Sequence, residues 1–228
     1  MSAPAKPRRR VAASIAAIAV TALLAFVAWY GYSEVASQPA RHVVFAGAVE
    51  RLNPADLARL EQSVLAGPGT SIDAIRAEAR ALPWVSEATV RRVFPDTVEI
   101  ALSAHTAFAR WNDDRLVSTE GQVFRAQGAG ELPTLRGPEG SAPRLVREYP
   151  LVVASLAPLG SEVKELRLTP RGGWHATLAS GLAIALGRGD WRARAERFVL
   201  AWPRISPEAR MAAYADLRYP GGFALKKS

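Results

Sequence analysis

Catalysis and metal binding need side chains that attack, coordinate or move protons, and this sequence offers few of them in workable arrangements. With no cysteine, it can hold neither a disulfide framework nor a thiolate metal site nor a cysteine nucleophile. Its three histidines, His42, His105 and His175, stand in unrelated segments, each without a partner at ligand or acid–base spacing. Asp113 and Asp114 could hold a hard cation, but adjacent carboxylates in a strand point to opposite faces, and in a loop they mark a turn. Gly67-Pro68-Gly69-Thr70-Ser71 lacks the lysine of a phosphate-cradling loop, and neither H-E-x-x-H nor G-x-S-x-G occurs. Arg188-Gly189-Asp190 resembles an adhesion tripeptide, yet a strand-to-helix turn ending in an N-cap aspartate needs the same residue types, and that reading is preferred. These residues predict no catalytic centre, no metal site, no cofactor and no small-molecule substrate.

What remains is main-chain chemistry near the C-terminus. Met211, Ala213, Ala215, Leu217 and Tyr219 alternate with Ala212, Tyr214, Asp216 and Arg218, the period of a strand. Pro220-Gly221-Gly222 then turns or bulges the chain, and Phe223-Ala224-Leu225 makes a last short strand before Lys226 and Lys227. A last strand is expected to leave its outer N–H and C=O groups on a sheet edge. Such an edge can accept a partner strand, or it can be blunted by its shortness and by the lysines; the residues alone leave both readings open.

The elements that must position this edge follow from periodicity. Val11 to Tyr30 runs twenty residues without a charge, about 30 Å as a helix, with Trp29, Tyr30 and Tyr32 at one end and Arg8-Arg9-Arg10 at the other. This predicts a transmembrane helix with a cytoplasmic N-terminus; a cleaved signal peptide is the rival, with Val35-Ala36-Ser37 as a poor cleavage site. Next come a strand over His42–Gly47, a helix capped by Asn53 with Leu57, Leu60, Val64 and Leu65 on one stripe, and a helix capped by Thr70 or Ser71 with Ile72, Ile75, Ala79 and Leu82. The period then drops to two, predicting a β-hairpin over Trp84–Val93 and Val98–Leu102.

Farther on, Leu116–Phe124 reads as a hairpin turning at Gly121, and 132–135, 163–168, 174–178 and 182–186 as strands. A helix over Ala142–Leu156 is expected to kink or split at Pro150, and Asp190 caps a helix with Trp191, Ala195, Phe198, Val199 and Trp202 on one face. The charge of +8 and pI near 10.4 suggest an anionic partner, but four of those charges precede Val11, leaving +4 on the rest. No later basic run interleaves with aromatics, so nucleic acid is not the expected partner.

The strings Leu82-Pro83-Trp84-Val85 and Val90 to Ile100 resemble the second half of a POTRA domain of the kind found in the FtsQ family of bacterial cell division proteins. Ala107–Trp111, Glu120–Phe124, Gly187–Asp190, Arg197–Val199 and Tyr214–Ala224 resemble the same family in the same order, and Ser103-Ala104 departs from it where acidic residues are common. The resemblance implies an α+β protein: a cytoplasmic tail (1–10), an N-terminal transmembrane helix (11–32), a linker (33–40), a POTRA domain of βααββ order (41–106) and a mixed C-terminal β-sheet domain with two helices (107–228). It implies a single-pass protein of the bacterial inner membrane, mostly periplasmic, at the division septum.

The function so implied is a non-enzymatic scaffold of the divisome. It would hold an FtsB and FtsL complex by strand addition at the C-terminal edge, with other division proteins engaged through the POTRA domain. By motif position the partner-binding residues would be Arg171, Arg218, Tyr219, Gly222, Phe223, Ala224, Leu225 and Lys226. Phe223 would be the apolar anchor, Gly222 the point of close backbone approach, and Arg171 and Arg218 the partners of acidic residues. A membrane-anchored POTRA chaperone or secretion component that handles unfolded clients is the alternative, and an anchored hydrolase is a third class.

Overall fold

The structure is a computed structural model that describes residues 18–30, 40–66 and 71–227. Residues 18–30 form a helix, α1, whose Ile18, Leu24, Phe26 and Trp29 side chains are exposed. No helix among the described residues is long and apolar enough to cross a membrane. The expected tail, residues 11–17 and 31–32 of the expected spanning helix, and the linker apart from Ala40 lie outside the described residues. The chain divides into two compact units, one through Ser103 and one from Ala104.

In the first unit, β1 (His42–Gly47), α2 (Pro54–Ala66), α3 (Ile72–Arg80), β2 (Val85–Val93) and β3 (Thr97–Ala104) form a three-stranded sheet of order β1-β3-β2 under two helices. Pro54 occupies the first helical position of α2 and the Asn53 Oδ1 accepts the Ala55 N–H at 3.0 Å. Ser71 caps α3 by accepting the Ala74 N–H at 3.1 Å. The stripes of the two helices bury Leu60, Val64, Ile75 and Ala79 against Ala88, Val90, Val98, Ile100 and Leu102, while Leu65 and Ile72, at the margins of those stripes, stay exposed. β1 runs parallel to β3 and ends at Gly47, where φ is +85° and a Cβ would run into the Leu102 carbonyl.

The second unit holds nine strands: β4 (Ala107–Trp111), β5 (Arg115–Ser118), β6 (Val123–Phe124), β7 (Thr134–Arg136), β8 (Val163–Leu168), β9 (Trp174–Leu178), β10 (Ala183–Gly187), β11 (Tyr214–Asp216) and β12 (Ala224–Lys226). They form one mixed sheet of order β12-β11-β10-β9-β8-β7-β4-β5-β6. The parallel pairs are β4/β7, β7/β8 and β10/β11. Leu135, Leu166, Ala176, Ile184 and Ala215 occupy one lateral row and are fully buried or nearly so, together with Leu145, Val152 and Leu156 of α4 (Ala142–Leu156) and Trp191, Ala195 and Phe198 of α5 (Trp191–Ala201). The next row, Arg136, Arg167, His175, Ala185, Asp216 and Ala224, lies on the opposite face because side chains alternate along a strand.

Four sequence expectations change here. α4 runs through Pro150 unbroken, because Leu145, Val152 and Leu156 pack on both sides of the missing hydrogen bond. β7 starts at Thr134 rather than at residue 132, since Pro133 has no N–H for a ladder. A third, single-turn helix, α6 (Pro207–Arg210), joins the expected two; Ser206 caps it by accepting the Ala209 N–H at 3.3 Å. The nine-residue alternation from Met211 shrinks to the three residues of β11. α6 takes Met211 as its C-cap, leaving it 82% exposed, and the chain leaves the sheet after Leu217.

His105, between β3 and β4, is buried with its ring stacked on Phe124 at 4.4 Å. Burial lowers its pKa below the ordinary 6.5, against a smaller opposing pull from Glu120. A lowered histidine pKa favours folding while the ring is neutral, so this contribution is lost as pH falls below about 6.5. His105→Phe keeps an aromatic stack without the titration. Urea denaturation should therefore show a smaller stability loss between pH 7 and pH 5 than in the wild type; an equal loss would remove His105 from the pH response.

Candidate functional site

β12 is the last strand of the nine-stranded sheet, and among the described residues no strand flanks its outer side. It pairs antiparallel with β11 through Tyr214↔Lys226, Ala215↔Leu225 and Asp216↔Ala224. Which amides are free follows from the other side of β11. The Ala183 N–H donates to the Ala213 carbonyl at 2.9 Å, and the Leu217 N–H donates to the Ala185 carbonyl at 3.0 Å. Ala215 therefore turns its backbone groups toward β10, and Tyr214 and Asp216 turn theirs toward β12, where the Lys226 carbonyl also accepts the Ala213 N–H at 3.0 Å. Their partners Lys226 and Ala224 face inward, so the N–H and C=O of Leu225 face out.

Side chains divide the other way. Ala224 and Lys226 are exposed, whereas Leu225 is half-buried and packs against the core. Phe223 lies on the same face as Leu225 and meets the fully buried Phe198 edge-to-face, with ring centroids 4.9 Å apart. Phe223 thus packs β12 against its own helix α5. Tyr219 is 54% exposed, in the turn between β11 and β12. A Cβ on Gly222 would meet open space, so the chain itself has no need of a glycine there.

The two arginines stand in different surroundings. Arg171 is exposed at the tip of the β8–β9 turn, where Thr169 Oγ1 accepts the Gly173 N–H at 2.9 Å and Gly172 takes φ +79°. It makes no ion pair among the described residues. β9 begins opposite Gly187 at the end of β10, and β10 runs parallel to β11, so this turn and the β11–β12 turn project from one end of the sheet. With strands about 4.8 Å apart, β9 and β12 are separated by about 14 Å. Arg218, by contrast, is occupied: its Nε donates to Asp216 Oδ1 at 2.8 Å and its terminal nitrogen to Oδ2 at 2.6 Å. The Arg218 hydrogen bonds hold the Asp216 carboxyl below its ordinary pKa of 3.8, and the same bonds raise that of Arg218.

Asp216, buried on the outer face, is the residue that sequence reasoning missed. The signal was present as Asp-x-Arg, since residues i and i+2 of an extended segment share a face. Asp113 and Asp114 sit in the β4–β5 turn, pairing with Arg136 at 2.6 Å and with Arg125 at 3.3 Å, the arrangement of a turn rather than of a cation site. Among the described residues no three His, Asp or Glu side chains converge as metal ligands would.

Residues 39–105 match the family model described as the POTRA domain, FtsQ-type, and residues 109–218 the model described as cell division protein FtsQ/DivIB, C-terminal. The cell division protein FtsQ of Bordetella pertussis is 35% identical over 249 residues, covering 94% of this chain and 89% of its own. The proteins of that name from Xanthomonas campestris and Burkholderia pseudomallei are 40% and 37% identical over 68% of this chain each, which spans 56% and 65% of their own lengths.

Proposed function

Because the chain belongs to the FtsQ family of bacterial cell division proteins, we propose that it is a non-enzymatic, membrane-anchored scaffold of the divisome that holds an FtsB and FtsL complex by strand addition along β12. The observation that carries this reading is the outward-facing backbone of Leu225 on the terminal strand of the sheet. An incoming strand would bond there, with Ala224 and Lys226 presenting side chains to it on one face. The exposed Tyr219 would supply an aromatic contact with a polar tip. Gly222, which the fold does not require, would let the partner's backbone come close. Arg171, about 14 Å away along the same sheet end, would take an acidic side chain of the partner's flanking segment. The apolar run from Val11 to Tyr30 would be the anchor, leaving both folded units on the periplasmic side, at the septum.

The test isolates the main chain. Leu225→Pro removes one N–H from the open side and none from the bonds to β11, whereas Leu225→Val keeps the N–H and most of the packing. Titration of the full chain with the exported segment of its FtsB-type partner should show at least a tenfold weaker Kd for the proline variant and little change for valine. Equal affinity of the proline and valine variants would exclude strand addition at Leu225, and indiscriminate capture of unfolded clients would favour the chaperone alternative.

A further inference from the structure

We infer that Asp216 is the positioning residue of this docking edge, acting through Arg218 without touching the partner; the inference rests on the strand-addition reading above. It starts from where the chain leaves the sheet. Leu217 still donates its N–H to Ala185, but the Arg218 N–H has no strand to receive it, and Asp216 Oδ1 accepts it at 3.0 Å. The same carboxylate takes the Nε and a terminal nitrogen of Arg218, so three donors from one residue fill three of its roughly four acceptor sites. Forked, charge-assisted bonds of this kind are short and directional. The Asp216 side chain is only 12% exposed, set between Ala185 of β10 and Ala224 of β12, while that of Arg218 is 60% exposed, so solvent screens the pair from the arginine side only.

The surroundings are shaped to this pair. Gly187 stands at an irregularity of β10 with φ +78°, and a Cβ there would lie 3.0 Å from Arg218 Cγ and 3.3 Å from an Arg194 nitrogen. The aliphatic stem of Arg218 thus runs over a glycine whose missing side chain makes room for it. The returning loop is otherwise thinly held: its one further backbone bond is a long 3.5 Å contact from Gly222 to Tyr219, before Phe223 meets Phe198. Asp216 fixes one end of that loop and Phe223 the other. Asp216 engages the Nε and one terminal nitrogen of Arg218, so the other terminal nitrogen keeps its donors for a further acceptor while Asp216 holds the side chain in place. Held in this way, Arg218 keeps Tyr219 outward and brings β12 into register.

Two readouts on the full chain test this. Amide hydrogen exchange over residues 219–226 reports the loop and β12 without any partner, and titration with the partner segment reports docking. Asp216→Asn should speed exchange there and weaken binding about tenfold, Arg218→Ala should do the same, and the double variant should be no worse than either single one. Independent, additive losses in the double variant, or wild-type exchange and binding in Asp216→Asn, would overturn the inference. Should Asp216→Asn not fold, Arg218→Lys carries the test, because lysine keeps the charge but cannot engage both oxygens as a fork; wild-type behaviour of that variant overturns it equally. Coupled exchange in a chain whose wild type does not bind the partner segment defeats strand addition, and the docking role of Asp216 with it, while leaving the clamp itself in place.

Discussion

Phe198→Ala is expected to lower the unfolding free energy of the C-terminal unit by about 3–5 kcal/mol, the range for truncating a buried phenylalanine. Phe198 has no exposed surface, and its ring meets Phe223 at 4.9 Å and Trp202 at 5.2 Å. Its loss opens a cavity beneath α5 and removes the surface on which β12 is seated. Two measurements follow: urea denaturation for the overall loss, and hydrogen exchange for its distribution. Exchange should rise most in β12, which has three paired residues of its own, and least in β8 and β9, which are bonded on both sides. A loss below about 1 kcal/mol would mean that neighbouring side chains refill the site.

The second large effect concerns Phe223. Read from the sequence, this residue points at a partner, and Phe223→Asp should then abolish binding while leaving the fold intact. The structure seats the same ring on Phe198, so the substitution acts on the chain first. Removing a half-buried phenylalanine forfeits about 1–2 kcal/mol of apolar burial and about 0.5–1.5 kcal/mol of aromatic pairing, and the new carboxylate must remain in water. Together these are comparable to what a three-residue strand at a sheet edge can gain, so β12 should detach. The expected result is a loss of partner affinity of at least about thirtyfold, accompanied by fast exchange at Ala224, Leu225 and Lys226. Lost binding with unchanged exchange would return Phe223 to the partner's side of the interface. Phe223→Leu, which keeps most of the burial, should retain both properties in large part.

These two expectations show where reading the chain linearly was sufficient. Helices α2 and α3 were legible because their signals are local. Asn53 and Ser71 are caps, Pro54 fits a first turn, and the apolar spacing of Leu60, Val64, Ile75 and Ala79 repeats at the pitch of a helix. The hairpin of β2 and β3 was legible for the same reason, its alternation surviving as the burial of Ala88, Val90, Val98, Ile100 and Leu102. The alternation from Met211 to Tyr219 misled at both ends because two other local devices competed with it. Ser206-Pro207 begins a helical turn ahead of it, and Asp216 captures the Arg218 amide behind it.

The docking edge divides along the same line. That the chain closes on a short strand, that its turn carries Tyr219, Pro220 and two glycines, and that the family is one of cell division proteins are all properties of residue order, fixed before folding. Tertiary structure decided which amides face outward, because that depends on β10 lying parallel to β11 and on the register this imposes across to β12. It also decided that Arg218 is held by Asp216 and that Phe223 packs against the core. Cross-strand pairing joins residues about thirty positions apart in the chain, such as Ala185 and Asp216, and the face a side chain meets is set by those remote neighbours. Local periodicity carries the rhythm of burial; only the assembled sheet assigns each beat to the core, to solvent or to a partner.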